Sequence, residues 1–139
     1  MEYIIETTAN NEVIEVTEII EEDLERSGVR AGIIKVSVPH TTVGIAIKEN
    51  ADPEVKPKVS GMHDVTEKVN QDLHHTGVTK DTTATFVPDS ARAKAAVIGG
   101  SVNIIINNGV MKLGSRQGIY FYEFDGPRTR KLEVKIIQG

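Results

Sequence analysis

The residues able to do chemistry in this sequence are one loop histidine, a few arginines and a scatter of carboxylates. His40 follows Pro39 and precedes two hydroxyls, Thr41 and Thr42, between two strand-like runs. An imidazole placed there suits a base, an acid or a metal ligand near neutral pH. The other reading is a loop histidine whose threonines satisfy turn hydrogen bonds. Arg128 and Arg130 are two apart, so on a strand they share a face. Their guanidinium forks match phosphate or carboxylate geometry, or they form a solvated strand face paired with Glu123, Asp125 or Glu133. Gly114-Ser115-Arg116-Gln117-Gly118 offers backbone N–H groups, a hydroxyl and a guanidinium, the makings of an anion-binding nest. Glu49 and Asn50 close the strand after His40, and they reach it only if the strand curls back or another chain supplies them. His63 with Glu67, four apart, and the pair His74-His75 fit no compact metal-ligand spacing and read as solvated helix histidines. There is no Lys-Ser/Thr phosphate loop and no dinucleotide fingerprint.

The elements that must position these groups are short and mostly β. Residues 3–8 and 12–16 have strand content, with Ala9-Asn10-Asn11 as a hairpin-like connection. Thr17 reads as the N-cap of a short helix with Ile20 and Leu24 facing inward and Gly28 ending it. The acidic run 18–25 is a solvated helix face, with early glutamates favoured by the helix dipole. Strands follow at 32–38 and 42–47, the second interrupted by Gly44, where a bulge or a close approach is expected. Asp52 and Pro53 open a helical region. Apolar residues three or four apart place its helix proper at 58–73. A β-type run at 82–87 leads to Pro88-Asp89-Ser90 and a small-residue helix over 91–98, its alanines suited to tight packing on a sheet or a subunit. Asn107-Asn108-Gly109 is a hairpin signal between strands at 102–106 and 110–113. An aromatic strand around Ile119–Phe124, a turn at Asp125-Gly126, and a last strand at 131–137 finish the chain. Two strands, helix, two strands, helix, strand, helix and a run of antiparallel strands make an α+β fold.

A chain of 139 residues with 39% hydrophobic content has the length of a single domain, 1–139, and an ample core. Zero cysteines remove disulfides, thiolate catalysis and Cys-based metal sites, and agree with a reducing cytoplasm. No apolar run is long enough to span a bilayer, and no basic-then-apolar leader follows Met1, so no membrane partner and a cytoplasmic location are expected. A net charge of −4 argues against nucleic acid as a partner.

His40-Thr41-Thr42, then Glu49-Asn50-x-Asp52-Pro53, and later Leu113-Gly114-x-x-Gln117-Gly118-Ile119 with Glu123-Phe124-Asp125-Gly126-Pro127-Arg128-x-Arg130, resemble the YjbQ-like family over nearly the whole chain. The resemblance implies a mostly antiparallel β-sandwich with flanking helices, assembled as a homotrimer. It also implies a secondary thiamine-phosphate synthase activity, a transferase joining a hydroxymethylpyrimidine diphosphate to a thiazole phosphate with loss of pyrophosphate. Family members carry further histidines before and inside the small-residue helix, and a Trp before the Gln. Here Arg92 and Arg116 stand at the helix and Trp positions, and residues 79–85 contain no histidine. Only His40 carries over as a ligand, which leaves a divalent metal ion as the one cofactor to consider. The site expected is therefore retuned toward phosphate. His40, Arg128 and Arg130 would be its catalytic groups. Thr41, Thr42, Glu49, Asn50, Arg92, Ser115, Arg116, Gln117 and Glu123 would hold a phosphorylated small molecule. Binding without turnover is the alternative.

Overall fold

Strand parity decides the layering of this protein. In the computed structural model, which describes residues 1–49 and 90–139, the strands β1 (Glu2–Glu6), β3 (Gly32–Ser37), β5 (Ser101–Asn107), β6 (Val110–Met111) and β8 (Thr129–Gln138) form one sheet in the order β1-β8-β3-β5-β6. A second sheet has the order β2-β7-β4, from β2 (Glu12–Glu15), β7 (Gln117–Glu123) and β4 (Val43–Glu49). Every pairing is antiparallel. Ile5, Ile34, Val36, Ile104, Ile106, Leu132 and Val134 of the large sheet meet Val43, Ile45, Ile119 and Phe121 of the small one in a single buried cluster. Ile20 and Leu24 of helix α1 (Thr17–Ser27), with Val16 just before it, close that cluster.

The small sheet is covered on both faces. Its other side, Val13, Tyr120, Tyr122 and Phe124, packs under Ala95 of helix α2 (Ala91–Ile98), with Ala91 and Ile98 against them. Tyr122 and Phe124 stack with ring centroids 6.3 Å apart. Small side chains let α2 come close: a Cβ on Gly44 would lie 2.6 Å from Ile98 Cγ2, so the interruption in β4 is a close approach by the protein's own helix. Ser90 caps α2, its hydroxyl accepting from Ala93 N–H at 3.2 Å.

The α+β class and the antiparallel sandwich agree with the sequence reading, and Asn108 and Gly109 make the expected two-residue turn, both at positive φ. Three expectations are corrected. The first two strands are not a hairpin: β1 pairs β8 and β2 pairs β7, in different sheets. The intervening chain is instead tied to the 125–128 turn, Thr7 N–H donating to Arg128 O at 2.9 Å and Gly126 N–H to Asn10 O at 3.1 Å. Thr17 is not an N-cap but the first helical residue; its hydroxyl is spent accepting Ile119 N–H at 2.8 Å, which pins α1 to β7. Arg128 and Arg130 do not present one solvated strand face. Arg128 precedes β8 and is exposed, while Arg130 shares the parity of Leu132 and Val134 and is buried. The helix expected at 58–73 and the run at 82–87 lie outside the described residues.

Candidate functional site

The site begins where parity places two opposite charges in the layer between the sheets. Glu123 continues the Ile119–Phe121 side of β7, and Arg130 continues the Leu132–Val134 side of β8. Their side chains meet in a two-point fork, Arg130 Nε to Glu123 Oε1 at 2.7 Å and Nη2 to Oε2 at 2.5 Å. Glu123 is fully buried, so its remaining lone pairs need donors. Asp125 N–H supplies one at 3.0 Å and the Thr7 hydroxyl another at 2.8 Å. Arg130 Nη2 also donates to Thr42 Oγ1 at 2.7 Å. Burial pushes the Glu123 carboxyl up, but the Arg130 fork, Asp125 N–H and Thr7 hydroxyl outweigh it and hold the carboxyl below its ordinary range.

His40 is set by the end of a ladder. β3 pairs with β8 as far as Ser37 opposite Glu133, and beyond it the chain turns at Pro39. The next β8 donor on that side, Lys131 N–H, goes to His40 Nε2 at 2.8 Å. Burial, then the nearby Arg130 charge, lower the His40 pKa below the usual histidine value. Both effects favour the neutral ring.

Pro39, His40, Thr41, Thr42, Arg92, Asp125, Arg128 and Arg130 line one cleft of about 580 Å³. Arg128 folds back on the Asp125 turn, Nη2 to Oδ2 and Nε to the backbone carbonyl, both at 2.9 Å. Arg92, on the first turn of α2, is exposed and makes no ion pair with the described residues.

The expected site residues separate into two groups. His40, Thr41, Thr42, Arg92, Arg128 and Arg130 come together, with Glu123 beneath them. Ser115, Arg116 and Gln117 do not: they line a second cleft of about 520 Å³ with Glu15, Thr17, Glu18 and Glu21 of the α1 region. Glu49 is opposite Gln117 at that same far end, because β4 runs straight along β7 without curling back. Asn50 lies outside the described residues. The anion nest also closes on itself, Gly114 N–H donating to Gln117 Oε1 at 2.6 Å and Gln117 N–H to Gly114 O at 2.9 Å. Thr7 is the site residue that the sequence reading missed; its parity with Tyr3 and Ile5 on β1 was the available signal.

A divalent metal does not fit the described part of this site. Glu123 is saturated, His40 Nε2 is committed to β8, and among the described residues no three His, Cys, Asp or Glu side chains gather to hold an ion. His63, His74 and His75 lie outside those residues.

Two layers of antiparallel sheet, with a His-Thr-Thr connection facing a Glu-Phe-Asp-Gly-Pro-Arg turn across one end, define the class of protein. The chain belongs to the YjbQ-like UPF0047 family, whose model matches residues 1–139. It is 38% identical over 135 residues to UPF0047 protein YugU of Bacillus subtilis, covering 96% of this chain and 95% of that one. It is 39% identical over 135 residues to a UPF0047 protein of Methanocaldococcus jannaschii, covering 97% and 91%. Among solved structures it resembles a YjbQ/UPF0047 family protein of Clostridium acetobutylicum at 40% identity and a TM-score of 0.73, covering 99% of both chains. A hypothetical protein of Aeropyrum pernix K1 gives 29% identity and a TM-score of 0.74, covering 100% and 98%. Among the described residues no helix is long and apolar enough to cross a membrane.

Proposed function

We propose that this protein binds a phosphorylated small molecule in the cleft between the His40 loop and the 125–128 turn. The observation that carries this reading is the convergence of Arg92, Arg128 and Arg130 with the Thr41 and Thr42 hydroxyls on one open cavity. Arginine forks and hydroxyls are the donor set that a phosphate oxygen array selects. Arg130 is already neutralised by Glu123, so its part is to hold Thr42 and the cleft floor. Among the described residues Arg92 makes no ion pair, and Arg128 is available by release from an exposed partner.

A thiamine-phosphate-synthase-like transfer would begin with the same binding event and then need a divalent cation to take the departing pyrophosphate. The described carboxylates favour binding over transfer: Glu123 is saturated, Glu49 is at the other end, and Asp125 faces Arg128. Isothermal titration calorimetry with inorganic phosphate and a phosphate monoester tests the reading. The expected result is saturable binding weakened about tenfold by Arg92→Ala, the loss of one charge-assisted contact. Equal heats for native and variant protein would overturn it.

A further inference from the structure

We infer that His40 is a one-way hydrogen-bond donor in this cleft, locked in its Nδ1–H form by the backbone of β8, and that it selects ligands presenting an acceptor-only anion. This rests on the phosphate-binding reading above and adds the means of selection.

The inference starts from an unfinished sheet. β3 stops pairing at Ser37, and Lys131 N–H, on the β3 side of β8, would face the cleft entrance unpaired. This edge is exposed, so without a protein partner the N–H would turn to water. His40 Nε2 fills the missing acceptor position at 2.8 Å. A neutral imidazole has one donor and one acceptor nitrogen, so an accepting Nε2 requires the proton on Nδ1. The ring then offers the cleft a single N–H and no lone pair. Protonating Nε2 would set it donor-to-donor against Lys131 N–H, beside the Arg130 guanidinium. The other charges lining the cavity are Arg92, Arg128 and Asp125, with Glu123 beneath. Of the charges acting on the ring, Arg130 and Lys131 oppose a second proton and Glu123 favours one.

Three consequences follow. His40 cannot act as a base through Nε2 without breaking the β8 contact. It cannot ligate a metal through Nε2 on the same condition. A donor-only ligand group, such as an ammonium, meets only another donor, whereas the oxygen of a phosphate, sulfate or carboxylate accepts the Nδ1–H.

The test separates the two ring nitrogens. In His40→Asn the amide N–H₂ replaces the Nδ1–H donor but the acceptor is lost; in His40→Gln the amide oxygen reaches Lys131 N–H but the Nδ1 donor is gone. With inorganic phosphate as the probe, His40→Asn is expected to bind within about threefold of native and His40→Gln about tenfold weaker, one charge-assisted bond. Amide exchange at Lys131 should quicken in His40→Asn and stay native-like in His40→Gln. Imidazole nitrogen shifts at pH 7, assigned to His40 by their loss in either variant, should report Nδ1 protonated and Nε2 bare. An Nε2-protonated ring, or native phosphate affinity in His40→Gln, overturns the inference. If native protein binds no phosphate, the cleft reading and the donor role fall together, and the nitrogen shifts alone then decide the locked tautomer.

Discussion

At the scale of residues, the ion pair between Glu123 and Arg130 is the strongest determinant of the cleft. Removing one partner strands a charge: Arg130→Met leaves a buried carboxylate held only by Thr7 and Asp125 N–H, with an expected cost of about 3–5 kcal/mol. The double change Glu123→Leu with Arg130→Met should cost less than either single change, because apolar side chains of similar volume replace a pair that is expensive to desolvate. Urea unfolding of the three variants measures this, and a double mutant less stable than both singles would refute it. The pair also gives a pH signature. Because the folded-state pKa of Glu123 is depressed, its stabilisation is complete above the ordinary carboxylate value of about 4.3 and is lost as pH falls through the folded value. Glu123→Gln should flatten that acid limb. Half of this was legible in the sequence: Arg130 has the parity of Leu132 and Val134, and Asp125-Gly126 reads as a turn. The rest was hidden because β7 is buried on both faces, so Glu123 interrupts no alternation that would mark it as core-facing.

At the scale of elements, α2 carries Arg92 to the cleft and is held by small residues. Gly44→Ala would place a methyl 2.6 Å from Ile98 Cγ2 and 3.3 Å from the Gly99 carbonyl. Ile98 Cβ, 2.8 Å away, is fixed to the helix backbone and cannot swing aside, so the helix must shift outward, at an expected cost of about 1–3 kcal/mol. Arg92 moves with it, so phosphate affinity should fall together with the unfolding midpoint. An unchanged affinity in a destabilised protein would uncouple Arg92 from the β4–α2 contact. The alanines of 91–98 and the lone Gly44 announced this packing in the sequence, because each is a residue too small to be filling a core by itself. The partnership of β1 with β8 was not announced: it is a pairing of opposite ends of the chain, and local turn signals at Ala9-Asn10-Asn11 favour the nearer strand.

At the scale of the whole molecule, the motifs fall at two ends of one strand. Glu49 and Gln117 are paired at one end of the β4–β7 ladder and Val43 with Glu123 at the other, six residues or about 20 Å apart at roughly 3.4 Å per residue. No rotamer of Arg116 spans that distance, so among the described residues the arginine-lined cleft and the cleft walled by Glu15, Glu18 and Glu21 are separate. Assembly as a homotrimer, which we propose on the family resemblance, would bring the Gly114–Gly118 loop of one copy to the His40 cleft of another only if the subunit contacts join opposite ends. Light scattering should give a mass of three chains. Within that assembly, Arg116→Ala decides between the arrangements by phosphate titration. The expected result is an affinity within about twofold of native, because three glutamates wall the far cleft and the Gly114 and Gln117 N–H groups are already bonded within the loop. A loss of about tenfold, the worth of one guanidinium–phosphate contact, would mean that the cleft is completed between subunits and that Arg116 belongs to it after all.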